Sequence, residues 1–360
     1  MRPRQAAALA GRLAAAVSVS SRCYAAAPES GISGVASIAV AWRRLASSST
    51  GSGEPRRFFP SGGPGLAAFT PKVRPRGAPP PPPTPAPLPG LHGPIIAVSS
   101  GKGGVGKSTV AVNLAAALVR RGRDTGATTT PPRAIGLLDA DVSGPSIPRM
   151  LGLEGAGKPE VDEEGRLVPL VSPTTGVRAL STGFLMKKGG AAVWRGPMAM
   201  SALATLTGRG DWAGLDALVV DLPPGTGDVP LSLAQTVALA GVVIVTTPQE
   251  VSLEDAARGA AMWAAAGVRV LGVVENMAGY ACPCCGHRDW VFGGEEEAED
   301  GKSRLLGLPL LGRVPLVTGV REGSDGGAPV VVTDPASPAG TAFLEIARRV
   351  ASAVGLEERA

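Results

Sequence analysis

The sequence predicts an α/β fold in three layers, with a mostly parallel sheet flanked by helices. Three observations predict it. From Pro94 to about Leu356, short apolar segments alternate with helical stretches, which is the pattern of strand–helix–strand crossovers. The segments are continuous runs rich in β-branched residues, as strands covered on both faces are. They are Ile95 to Val98, Ile135 to Leu138, Ala217 to Val220, Val242 to Thr246 and Val270 to Val274. Finally, the glycine-rich and acidic motifs follow the ends of these runs, where an open parallel sheet gathers its ligands.

The first run leads into Gly101, Lys102, Gly103, Gly104, Val105, Gly106, Lys107, Ser108 and Thr109, and an apolar stretch with helical spacing follows. Strand, glycine-rich loop and helix together are the context in which such a loop cradles phosphate. Glycines let successive N–H groups turn inward around an anion, and the helix N-terminus adds partial positive charge. Lys107 is placed to reach the β- and γ-phosphates of ATP, and the Ser108 hydroxyl to ligate Mg²⁺. Lys102 is an additional cation. At the loop entrance it folds poorly onto its own chain's phosphates, but it could reach a nucleotide held by a facing subunit.

Residues 123–133 (RDTGATTTPPR) read as an exposed loop. The second strand then ends in Asp139-Ala140-Asp141. Carboxylates at alternate positions leave a strand on one side, where the pair can hold the Mg²⁺ water shell and orient an attacking water. The third strand ends in Asp221, followed by Pro223-Pro224-Gly225-Thr226-Gly227. This reads as a Walker B carboxylate with a switch loop able to close on a γ-phosphate. Asn276, after a later strand, offers a donor and an acceptor to an adenine edge; a turn cap explains it as well.

Cys282 and Cys285 stand in C-x-x-C spacing, with Cys284 between them and His287 close by. Two thiolates supply half of the four ligands that a tetrahedral zinc or a [4Fe–4S] cluster takes. No second C-x-x-C exists, and Cys23 lies near the N-terminus. The readings open at this point are a bridging iron–sulfur cluster, a zinc site and a redox dithiol. Two chains donating a pair each would complete either metal site, and Lys102 points independently to a dimer.

The N-terminal third differs in composition. Residues 1–93 hold 11 Lys and Arg against Glu29 and Glu54, a net charge of +9 that leaves the remainder at −4. The basic balance therefore belongs to the leader and does not argue for nucleic-acid binding. Residues 1–50 are arginine-rich, serine-rich and acid-poor, like an organelle transit peptide. Residues 51–93 include the unbroken run Pro79 to Pro83 and read as an extended linker. Residues 94–356 form the globular domain. No stretch is long and apolar enough to span a membrane, so contact with one is at most peripheral.

Taken together, GKGGVGKST, LLDADVSGPSIP (137–148), VWRGPM (193–198), VVDLPPGTGD (219–228), TPQEVSLEDA (247–256), VENM, CPCCG and VREGSDGG (320–327) resemble the Mrp/Nbp-type iron–sulfur carrier NTPases. These belong with MinD and nitrogenase iron protein to the NTPases with a deviant phosphate loop. The resemblance covers nearly all of residues 94–354. It implies a weak ATPase that binds a [4Fe–4S] cluster between two subunits, through Cys282 and Cys285, and hands it to apoproteins. With its leader, the chain is most similar to the mitochondrial branch that serves respiratory complex I. The matrix is the expected location and the chloroplast stroma the alternative. A chloroplast carrier of this kind has further flanking domains, for which this chain leaves no room. A membrane- or DNA-positioning ATPase is the competing function, and the amphipathic stretch Phe343 to Val354 is the segment that raises it.

Overall fold

The structure is a computed structural model that describes residues 85–121, 133–142, 144–185, 196–282, 287–292 and 307–356. The leader, the 123–132 loop, Cys284 and Cys285 lie outside the described residues. The elements in order are β1 (Ile95–Ser100), α1 (Lys107–Arg121), β2 (Ile135–Asp139), α2 (Ile147–Met150), β3 (Leu170–Val171) and β4 (Arg178–Ser181). Next come α3 (Gly196–Arg209), β5 (Ala217–Asp221), α4 (Asp228–Thr236), β6 (Gly241–Thr246), α5 (Glu250–Ala265) and β7 (Val270–Ala281). The series closes with β8 (Arg288–Asp289), β9 (Leu310–Leu316), α6 (Thr318–Asp325), α7 (Val330–Thr333) and α8 (Pro338–Ala353).

The sheet has nine strands in the order β3-β4-β2-β5-β1-β6-β7-β8, with β9 also pairing β7. Pairing is parallel except at the edge partners, where β3 runs antiparallel to β4 and β8 to β7. The phosphate-loop strand β1 lies between β5 and β6. The carboxyl ends of β2, β5, β1 and β6 therefore open onto one rim.

Strand alternation divides the core into two layers. Ile96, Val98, Leu137, Val219 and Val243 point to the face covered by α1 and α8. Ile95, Ala97, Leu138, Val220 and Ile244 point to the other face, with Leu206 of α3, Leu233 of α4 and Trp263 of α5. This is the predicted three-layer arrangement. Helix α1 is buried at every position from Val110 to Val119, so it is a core helix apolar all round. The apolar stripe of α8 (Phe343, Ile346, Ala347, Val350) is fully buried, so packing on the sheet uses the face that raised a membrane reading. Among the described residues no helix is long and apolar enough to cross a membrane.

Packing begins before residue 94. Ala86 N–H donates to the Thr236 carbonyl at 3.1 Å, and Ala238 N–H returns a bond to Ala86 at 3.0 Å. Leu88 and Leu91 are buried in the second core layer. The polyproline composition around them hides two anchor leucines, so residues 85–93 belong to the folded unit and not to the linker.

Candidate functional site

The phosphate loop spans the gap between β1 and α1, and the neighbours of each glycine explain it. Gly101 has no room for a side chain, because a Cβ there would collide with the backbone and Cβ of Asp255 in α5. Gly104 and Gly106 adopt left-handed backbone, φ +81° and +86°, which costs little only for glycine. Nothing lies within 4 Å of a Cβ built on Gly103 or Gly104, so this side of the loop opens outward as an anion cradle. A Cβ on Gly106 would strike the Asn276 amide.

That contact gives Asn276 a structural task. Its Nδ2 donates to the Val105 carbonyl at 2.9 Å, and the residue is buried. Asn276 clamps the loop with one amide N–H, and the same residue lines the cavity beside the loop.

Lys107 opens α1 and is 6% exposed. Its Nζ donates to Asp221 Oδ1 at 2.7 Å and to Ser108 Oγ at 3.1 Å, and lies 3.9 Å from Asp141 Oδ2. The sequence-predicted Lys107, Ser108, Asp141 and Asp221 thus meet at one point. The second oxygen of Asp221 is buried with no hydrogen-bond partner. A buried, unsatisfied carboxylate oxygen beside a serine hydroxyl is a donor set that suits Mg²⁺ or its water shell. Lys102 is half-buried, and among the described residues its side chain makes no ion pair.

Asp139 departs from its expected role. It was paired with Asp141 on one side of a strand, but β2 ends at Asp139, and beyond the strand alternation no longer holds. Asp139 Oδ1 instead accepts from the Asp141 N–H at 3.1 Å, and Oδ2 accepts from the Ser181 hydroxyl at 2.8 Å. It braces the loop from inside, and only Asp141 turns toward Lys107. Burial first, and the neighbouring Asp221 carboxylate second, push the Asp139 carboxyl up to about 8, against bonds from Ser181 and the charge of Lys107. Burial also raises Asp221, opposed by the charge and hydrogen bond of Lys107.

Beside the loop lies a cavity of roughly 270 Å³, whose lining includes Gly106, Thr109, Asn276, Met277, Arg321 and Asp325. Helix α6 supplies the last two. The segment VREGSDGG (320–327) has no spacing that says this helix folds back beside the phosphate loop. Met277 has φ +57°, a left-handed conformation that a long side chain seldom adopts. It sits where the β7–β9 register shifts, between Asn276 and Tyr280.

Past that bulge, β7 continues to Ala281, next to Cys282. Tyr280 pairs with Asp289 and Ala281 with Arg288, and the Cys282 N–H donates to the His287 carbonyl at 2.8 Å. Cys282 and His287 thus hold the chain together on either side of residues 283–286. Cys282 is half-buried. Among the described residues no group of three or more His, Cys, Asp or Glu side chains is placed to hold a metal ion.

The chain is similar to known proteins. The chain is 47% identical over 270 residues, 74% of its length and 81% of the relative's, to an Arabidopsis thaliana protein named "Iron-sulfur protein required for NADH dehydrogenase, mitochondrial". It is 47% identical to the Mus musculus "Iron-sulfur cluster transfer protein NUBPL", over 71% of this chain and 76% of that one. A solved nucleotide-binding protein from Archaeoglobus fulgidus in complex with ADP is 37% identical. That structure matches with a TM-score of 0.54 over 65% of this chain and 86% of its own. A family model described as "ParA: NUBPL iron-transfer P-loop NTPase" matches residues 93–351. With loop, carboxylates and cysteine turn all inside that span, the chain belongs to the family of NUBPL-type iron-transfer P-loop NTPases.

Proposed function

We propose that this protein is an ATP-dependent iron–sulfur cluster carrier that holds a [4Fe–4S] cluster between two copies of the chain and delivers it to apoproteins, including subunits of respiratory complex I. The observation that carries the reading is the double use of β7. One strand carries Asn276, which holds the phosphate loop, and ends at Ala281, directly before the C-x-x-C sequence with its two thiols. A second copy supplies the other two thiols that the cluster takes.

In this reading the N–H groups of the loop from Gly103 to Gly106 and the Lys107 ammonium bind the phosphates of ATP. Ser108 and Asp221 hold Mg²⁺, which neutralises phosphate charge when bound. Asp141 orients the attacking water. Lys102, without an ion-pair partner among the described residues, reaches the partner copy's nucleotide. The base occupies the cavity beside Met277 and α6. The acid-poor leader and the mitochondrial and NADH dehydrogenase wording of the Arabidopsis relative's name support residues 1–50 as a transit peptide and the mitochondrial matrix as the location.

The test is the iron, sulfide and zinc content of protein purified without oxygen, with its oligomeric state. About four irons and four sulfides per dimer are expected. Zinc at one per dimer with no sulfide replaces the carrier by a zinc-bridged ATPase, and a strict monomer in the presence of ATP and iron removes the bridging site.

A further inference from the structure

We propose that Ser181 is a positioning residue for Asp141, acting through Asp139. The inference rests on the reading of Asp141 as the group that orients water for ATP hydrolysis.

Ser181 ends β4 and is the register partner of Asp139 at the end of β2. Both side chains are fully buried. The Ser181 oxygen accepts from the Gly183 N–H at 2.9 Å, which fixes the hydroxyl and directs its proton to Asp139 Oδ2, 2.8 Å away. Asp139 is then held in one rotamer, and its Oδ1 receives the Asp141 N–H. From the other side, the Ala140 N–H donates to the Asp221 carbonyl at 2.8 Å. The backbone that presents Asp141 is thus tied at two successive amides, one of them only as firmly as Ser181 holds Asp139.

The same serine also secures the chain that follows Asp141. A Cβ on Gly183 would lie 2.9 Å from Pro148 and 3.2 Å from Pro145, so the turn capped by Ser181 packs tightly on the segment leading into α2. Both flanks of Asp141 are anchored to one hydroxyl. Without that hydroxyl, the Asp139 carboxyl is free to rotate, the bond to the Asp141 amide weakens, and the carboxylate beside Lys107 drifts. Displacements of about 1 Å at a reacting geometry cost up to about a hundredfold in rate.

The experiment is single-turnover hydrolysis of Mg-ATP by the full chain, with ATP affinity measured separately, for wild type, Ser181→Ala, Ser181→Thr, Asp141→Asn and the Ser181→Ala/Asp141→Asn double variant. Ser181→Ala is expected to slow hydrolysis about tenfold with the ATP Kd within about twofold. Ser181→Thr keeps the hydroxyl and recovers most of the rate. In the Asp141→Asn background, Ser181→Ala adds less than about twofold, because the group it positions is already disabled. An equal loss in both backgrounds, or a weaker Kd with unchanged rate, overturns the positioning role. A slow Asp141→Asn variant beside a wild-type rate for Ser181→Ala overturns it too, while leaving the reading of Asp141 intact. A wild-type rate for Asp141→Asn overturns that reading itself, and the role of Ser181 with it.

Discussion

Asp139 and Asp221 face one another as register partners on adjacent parallel strands, both buried with no exposed surface. Two carboxyls in that position cannot both carry charge cheaply. Lys107 bonds directly to Asp221, so the negative charge settles there, while burial and that neighbouring charge push the Asp139 carboxyl up to about 8.

Stability without nucleotide should therefore fall as pH rises from about 4 to about 8. In that window the native Asp139 holds a proton that the unfolded chain has released, so each step up in pH favours unfolding, by up to about 1.4 kcal/mol per unit. Asp139→Asn removes the ionisable group and with it this contribution, at the cost of one of the two hydrogen bonds that the carboxyl oxygens accept. Denaturant melts across the range should give a flatter profile for the variant, with its advantage over wild type growing toward pH 8.

Removing Lys107 has two effects of different origin. Lys107→Ala should weaken ATP binding roughly ten- to a hundredfold, from loss of a charge-assisted bond worth about 1.5–3 kcal/mol. It also leaves Asp221 buried without its cation, which should destabilise the nucleotide-free protein by about 3–5 kcal/mol. Combining Lys107→Ala with Asp221→Asn should recover much of the stability and none of the binding, as thermal melts and ATP titrations would read.

The glycines of the loop separate by their surroundings. Gly101→Ala forces a methyl onto the backbone of Asp255 and should cost about 1–3 kcal/mol of stability. Gly103→Ala enters open space and should change stability by no more than about 0.5 kcal/mol. A unfolding midpoint for Gly101→Ala equal to that of Gly103→Ala would contradict the packing described for the loop.

Cys282→Ala and Cys285→Ala should each reduce the visible absorbance of a thiolate-bound cluster in reconstituted protein to background, with ATP affinity unchanged. Full colour in the double variant would contradict the carrier assignment.

The strands were legible because buried parallel strands are continuous apolar runs, and Val242 to Thr246 or Ala217 to Val220 admit few other readings. The phosphate loop was equally plain, since left-handed turns and close approaches leave only glycine. What escaped depended on distant packing. Asp139 looks like a ligand until the turn after β2 diverts it toward Ser181 on the neighbouring strand. Asn276 shows its task of holding the phosphate loop only once Val105 is seen above it. Leu88 and Leu91 sit in a proline-rich stretch whose composition masks them, and α6 reaches the cavity only because the chain doubles back after β9.

The bulged course of β7 also limits how the gene can vary. Asn276 and Cys282 are separated by five residues that include the left-handed Met277, a span of about 20 Å at most. A single codon gained or lost inside it would reverse the facing of the chain that follows, turning the Cys282 thiol to the other side. Length in this interval is fixed by geometry even where residue identity is free, so insertions should be tolerated in residues 123–132 long before they are tolerated here.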